Sequence, residues 1–214
     1  MKISKRRQDS VCLKVEKKMT VYDFDNTIYD GESGVDLFLY FLEKDPALVT
    51  KIPWGLRILK DYKIAKLSMD DIANKYSPRV EEYGRTKIPD LAPIVDDFWN
   101  THAYKIKSFY IRQRSDDDII ISACLDFVLA EICRRLGVKN FIASEVEYET
   151  RKLKRFCYKE NKVKMFRERY PDGEIDDLYT DSYNDKPLMD ISKNVFFVKG
   201  NKITQIKKDG VEVQ

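Results

Sequence analysis

A short apolar run that stops on two carboxylates, Thr20-Val21-Tyr22-Asp23-Phe24-Asp25-Asn26-Thr27, constrains the fold of this chain more than any other stretch. A strand alternates its side chains with period two, so Asp23 and Asp25 either share a face or are aimed at one point by a bend after Asp23. Two like charges held close do not both ionise comfortably unless a cation neutralises them or one keeps its proton. Such a pair can divide labour, one carboxylate attacking while the other moves protons. The plain alternative is a solvated turn at a strand end.

Three later stretches add to that pair. Asp117-Asp118-Ile119-Ile120-Ile121-Ser122 is an apolar run ending in a hydroxyl, which suits either a buried parallel strand whose tip reaches a site or a cap for the helix that follows. Lys162 opens a helical pattern over residues 161–170, where a lysine is either solvated or turned inward. Residues 175–185 form another apolar run closing on acids, with Asp181 and Asp185 four apart. Strand ends that converge on acids, a hydroxyl and a lysine fit the rule that open α/β sheets bind ligands at their carboxyl edge.

These residues resemble the haloacid dehalogenase (HAD) superfamily, whose four motifs run in this order. Asp-x-Asp-x-Thr is matched by Asp23, Asp25 and Thr27, the Ser or Thr after an apolar strand by Ser122, the Lys by Lys162, and the acidic Asp-Ser-x-x-Asp by Asp181, Ser182 and Asp185. The resemblance spans about residues 19 to 200. It implies Asp23 as nucleophile, forming an aspartyl-phosphate, and Asp25 as general acid and then base. The second Asp is what the phosphatases of the superfamily carry. Ser122 and Lys162 would hold phosphoryl oxygens. Mg²⁺ would be bound by the Asp23 carboxylate, the Asp25 backbone carbonyl and Asp181, with Asp185 close by or acting through a water.

Between the first two motifs, residues 35–42, 54–62 and 94–106 carry apolar positions spaced by three and four, the mark of helices. Ser33 with Asp36 predicts a capping box at the start of the first. In the superfamily an insert here is a mobile cap that excludes water from the site. The arrangement is similar to the phosphoserine-phosphatase-like branch, subfamily IB, with its small helical cap. Glu32 lies nine residues after Asp23, where phosphoserine phosphatases place a substrate-contacting Glu; the helix dipole also favours an acid there. The family's cap arginine finds candidates only by position in Arg57, Arg79 and Arg85, and Ser122 is followed by Ala123-Cys124 where phosphoserine phosphatases have two glycines.

Downstream, Leu125 to Leu136 reads as a helix ended by Gly137 and Asn140 to Ser144 as a strand. Glu147 to Tyr158 reads as a basic hairpin, Val195 to Val198 as a last buried strand, and Lys199 to Ile206 as a hairpin around Gly200-Asn201. The expected fold is therefore α/β, a Rossmann-like, mainly parallel sheet with a small all-helical cap inserted after the first strand. Its expected parts are a basic extension over 1–18, a core over 19–31 and 116–214, and a cap over 32–115.

Composition agrees with an enzyme of this size: 214 residues, 43% hydrophobic, can bury one α/β core plus an insert. The net charge of +3 is local, since the first eighteen residues carry seven Lys or Arg against two acids. That segment lacks the apolar core of a signal peptide, and Val11-Cys12-Leu13 offers an added strand. Four cysteines without paired spacing suit a reducing cytoplasm, and a single histidine, His102, excludes histidine-rich zinc sites and histidine-based triads. The expected activity is Mg²⁺-dependent hydrolysis of a small phosphorylated metabolite, with no nucleic-acid partner and no stable membrane association. The alternatives are a phosphotransferase using the same aspartyl-phosphate and a phosphatase of phosphatidylglycerophosphate-like lipids, the latter suggested by the amphipathic stretch from Lys51 to Met69.

Overall fold

The computed structural model describes residues 18–45, 47, 50, 82, 85 and 90–213. The helix expected over 54–62, the strand through Val11-Cys12-Leu13, the stretch from Lys51 to Met69, and Arg57 and Arg79 lie outside the described residues. The apolar runs become strands of one eight-stranded sheet. Its strands are β1 (Thr20–Tyr22), β2 (Ile119–Leu125), β3 (Asn140–Val146), β4 (Leu153–Arg155), β5 (Ile175–Thr180), β6 (Ser192–Lys199), β7 (Lys202–Lys208) and β8 (Val211–Glu212). The order is β4-β3-β2-β1-β5-β6-β7-β8, parallel from β3 to β6 and antiparallel at both edges. After β1 the chain builds outward on one side through β2 and β3, then returns to place β5 on the other. The ends of β1 and β5 thus form the crevice where such sheets take ligands.

Alternation along the strands sorts the core into two layers. Val21, Ile119, Ile121, Leu178 and Val195 face Met165 and Phe166 of a helix over Glu160–Arg169, which with Leu188 and Met189 of Lys186–Asp190 covers one side. Tyr22 and Ile120 face the other side, against Val128, Leu129 and Ile132 of Asp126–Leu136. That helix ends as its glycine requires: Gly137 sits at φ +73, and the amide of Val138 donates to Cys133 O at 2.9 Å.

In chain order the helices are α1 (Ser33–Lys44), α2 (Ala92–His102), α3 (Ser108–Gln113), α4 (Asp126–Leu136), α5 (Glu160–Arg169) and α6 (Lys186–Asp190). The apolar spacing over 94–106 does not give one helix, because α2 yields to a 3-10 turn over Ala103–Lys105. Val95, Phe98 and Trp99, at helical spacing, enter the same layer as Phe24 and Val128, and the Trp99 indole donates to Val128 O at 2.9 Å. Truncating so buried a tryptophan to alanine costs about 3–5 kcal/mol.

Both described ends of the expected 32–115 insert are therefore packed onto the sheet layer. They also hold each other. The Tyr40 hydroxyl of α1 donates to Asp97 of α2 at 2.6 Å, and Lys44 pairs with Asp97 at 2.9 Å. Below them the two arms of the chain pair antiparallel, Asp30 N to Lys105 O and Lys107 N to Ile28 O, both 2.8 Å. Asp36 closes the arrangement by accepting from the Tyr29 hydroxyl at 2.5 Å and from Lys105.

The capping box expected of Ser33 and Asp36 does not form. Asp36 is held by Tyr29 and Lys105, and Ser33 is the first helical residue rather than the cap. The N-cap position belongs to Glu32, whose side chain makes no capping bond, and the free amide of Ser33 is met from a distance by Asp25 Oδ1 at 2.7 Å.

Candidate active site

The amide of Asp23 donates to Tyr179 O at 2.9 Å, continuing the β1–β5 pairing one residue past the strand and fixing Asp23 at the carboxyl edge. The chain then coils: Phe24 O accepts from the amides of Thr27, Ile28 and Tyr29, and Asn26 adopts φ +56, with its amide on Gly31 O at 2.9 Å. The coil separates the two acids. Asp23 points at Lys162, whereas Asp25 points at the first turn of α1.

Lys162 is 3% exposed and lies between two carboxylates, 2.8 Å from Asp23 Oδ1 and 2.7 Å from Asp185 Oδ1. The second oxygen of Asp185 accepts from the Thr180 hydroxyl at 2.8 Å, which orients the carboxylate toward the lysine. Burial alone would lower the ammonium's pKa, but the two carboxylates outweigh it and the net shift is upward. Asp23 is pushed well above the carboxylate range, first by burial and then by Asp185 and Asp181, against the pull of Lys162. Asp181, at the end of β5, lies within hydrogen-bonding reach of Asp23 and is itself shifted upward by burial.

Asp25 occupies a different environment. Burial raises its pKa to about 6, and Glu32 adds to the rise, while hydrogen bonds from the hydroxyl and amide of Ser33 oppose it. Glu32 is held by Asn26 Nδ2 at 2.6 Å. Ser122 is buried on β2, and the register that sets Ile120 beside Tyr22 carries it to the same edge one strand over. Its hydroxyl accepts from the Cys124 amide at 3.0 Å, which shapes the strand end rather than capping α4, whose N-cap is Leu125. The Thr27 hydroxyl is buried without a partner among the described residues.

The four acids expected around a metal thus divide. The Asp25 carboxylate is turned to Ser33, and Asp185 to Lys162 and Thr180, while Asp23 and Asp181 face each other. Among the described residues no group of three or more His, Cys, Asp or Glu side chains is arranged to hold a metal ion. What remains fits a hard cation needing few protein ligands: the facing carboxylates of Asp23 and Asp181, which two charges tolerate only around a shared proton or a cation.

One basic residue at this edge was not anticipated from sequence. Lys107, 7% exposed, donates to Asn26 O and, at 3.1 Å, to Gly200 O in the β6–β7 turn. Its pKa is lowered by burial, with Asp30 and Asp181 acting in the opposite sense. No local signal marks it, because its partners lie 81 and 93 residues away.

Comparison with known proteins agrees with this fold. No curated protein matches the chain. Among solved structures, a protein of unknown function from Bordetella pertussis Tohama I is 19% identical with a TM-score of 0.64, over 81% of this chain and 86% of that one. A phosphoserine phosphohydrolase-like protein from Francisella tularensis is also 19% identical, with a TM-score of 0.56, over 84% and 86%. A phosphoserine phosphatase solved as a phospho-aspartyl intermediate analogue is 16% identical, with a TM-score of 0.51, over 84% and 85%. These likenesses share the fold, and the model of the haloacid dehalogenase-like hydrolases matches residues 20–190. Four-fifths of the sequence is thereby covered, from β1 to the end of α6, and the chain belongs to the haloacid dehalogenase-like hydrolase family.

Proposed function

We propose that this hydrolase is a Mg²⁺-dependent phosphatase of small phosphomonoesters working through an aspartyl-phosphate. The observation that carries the reading is the divergence of two carboxylates two residues apart. Asp23 is ion-paired with Lys162, and Asp25 is set apart on the Ser33 amide with a pKa of about 6, suited to giving and taking a proton near neutrality. The phosphoserine phosphatase of the same fold, captured as a phospho-aspartyl analogue, supports an intermediate of this kind.

In the first step an Asp23 oxygen attacks phosphorus, the ester P–O bond breaks, and Asp25 gives its proton to the leaving oxygen. In the second, Asp25 takes a proton from the water that attacks phosphorus, and Asp23 is released with inorganic phosphate. Lys162, held by Asp185, balances charge on the phosphoryl oxygens, with Ser122 at the same edge. Mg²⁺ would be held by the carboxylates of Asp23 and Asp181 and the carbonyl of Asp25, and would supply the positive charge that keeps Asp23 ionised as nucleophile. Glu32, held by Asn26 at the start of α1, would meet a cationic group on the substrate. Among the described residues no helix is long and apolar enough to cross a membrane. Cys124, Cys133 and Cys157 are buried and free, which supports a reducing, cytoplasmic setting.

The test is phosphate release from a panel of small phosphomonoesters, phosphoserine included, with and without Mg²⁺, using Asp23→Asn protein as the blank. Metal-dependent release that falls at least about a thousandfold in the blank is the expected result, since an amide is a poor nucleophile. Release that persists in Asp23→Asn would overturn the assignment. Transfer to an added alcohol in place of water would identify a phosphotransferase.

A further inference from the structure

Among the described residues, Lys107 is the buried cation at the carboxyl edge that the proposed chemistry leaves without a role. A lysine this deep ordinarily sits against a carboxylate. The hydrogen-bond partners of Lys107 are instead two main-chain carbonyls, Asn26 O in the coil after Asp25 and Gly200 O at the tip of the β6–β7 hairpin. Both carbonyls belong to backbone in the left-handed region, Asn26 at φ +56 and Gly200 at φ +58. Glycine adopts that conformation freely, whereas asparagine does so at a cost and needs its surroundings to hold it.

At Asn26 three bonds do the holding. Its amide donates to Gly31 O at 2.9 Å, its side chain to Glu32 at 2.6 Å, and its carbonyl accepts from Lys107. The first two come from the same loop and move with it. Among the bonds at Asn26, Lys107 is the one that links it to the β6–β7 hairpin: its main chain is joined to the coil at Ile28 O at 2.8 Å while its ammonium bridges Asn26 O and Gly200 O. The residue held in this way directly follows Asp25.

We propose that Lys107 is a positioning residue for the reaction at Asp23 and Asp25, a strut whose ammonium locks the coil of residues 24–31 against the β6–β7 turn and so fixes where Asp25 delivers its proton. It touches neither substrate nor reacting atoms. This assignment rests on the phosphatase reading for its kinetic consequence, but not for its structural one.

Two measurements separate those consequences. Hydrogen exchange in wild type and Lys107→Met should differ in the peptides covering residues 24–31 and 199–203, where exchange accelerates at least about tenfold, and should match in β3. That comparison needs no activity, and unchanged exchange over 24–31 would overturn the strut whether or not the protein is a phosphatase. On a phosphomonoester hydrolysed by the wild type with Mg²⁺, Lys107→Met should lower kcat about ten- to a hundredfold while KM stays within about threefold. Lys107→Gln, which keeps a neutral N–H donor, should recover part of the loss. If Lys107→Met does not melt cooperatively, the glutamine variant carries both measurements, with smaller changes of the same sign. A kcat within about twofold of wild type in a folded variant would overturn the proposal, as would a rise in KM at constant kcat.

Discussion

The two edges of the sheet treat buried acids in opposite ways. At the amino edge each carboxylate has its own donors: Asp118 accepts from the Ser115 amide at 2.9 Å, and Asp177 is met by Lys18 at 2.5 Å and by Asn194 at 2.9 Å. At the carboxyl edge Asp23 and Asp185 share one ammonium, Lys162, with Asp181 in reach of Asp23, and the protonation of Asp23 and Asp181 is pushed upward first by burial and then by neighbouring carboxylates. The same strands support both arrangements, so the difference does not come from the sheet. Acids matched singly to donors have their bonding needs met within the fold, though burial still raises the pKa of Asp118, whereas an excess of acids over cations suits a place where an incoming charge is to be bound.

The largest expected effect comes from removing the cation that Asp23 and Asp185 share. Lys162→Met leaves Asp23 and Asp185 buried without it and should lower stability by about 3–5 kcal/mol, together with loss of turnover. Chemical denaturation measures the first; a cost under about 1 kcal/mol would mean that the carboxylates share a proton already and that the two edges differ little.

A smaller effect, with a defined sign, tests the separation of Asp25 from Asp23. Ser33→Pro removes both hydrogen bonds that lower the pKa of Asp25, yet proline is well accommodated at the first helical position after an extended residue such as Glu32, at φ −105 and ψ 106. Asp25 must be protonated to serve the leaving oxygen. With a folded-state pKa of about 6, kcat/KM for an alkyl phosphate should fall as pH rises through that value, and in Ser33→Pro the fall should move to higher pH. A profile that does not move would detach Asp25 from the acid role.

The smallest effect belongs to the other edge. Asp177→Asn gives up an ion pair with the largely exposed Lys18 while remaining beside Asn194, and should cost under about 1 kcal/mol. Its kcat should stay within about twofold of wild type. A large fall in activity would erase the distinction between the edges.

Much of this arrangement was legible before the structure. Asp23, Ser122 and Asp181 stand where apolar runs stop, and a run that stops on a polar residue signals a strand end directly. Lys162 and Asp185 could be placed only through their order along the chain, since nothing local distinguishes an inward lysine from a solvated one. The sequence was less informative where a contact crosses the fold. Ser33 and Asp36 have the spacing of a capping box, but Asp36 is drawn away by Tyr29 and Lys105, and Asp25 takes over the amide at the helix start. Thr180 and Lys107 owe their roles to partners that local spacing does not encode.

The paired arms below α1 and α2 also bear on how freely this chain can vary. Residues 28–30 are joined to 105–107, and Lys44 is joined to Asp97, so the segment between the two helices leaves and returns through a closed gate. Substitutions in these arms are therefore constrained on both sides of the pairing at once. The geometry of the coil over 24–31 is thus set jointly by two stretches some eighty residues apart in the chain, and a change in either arm reaches Asp25 through their shared pairing.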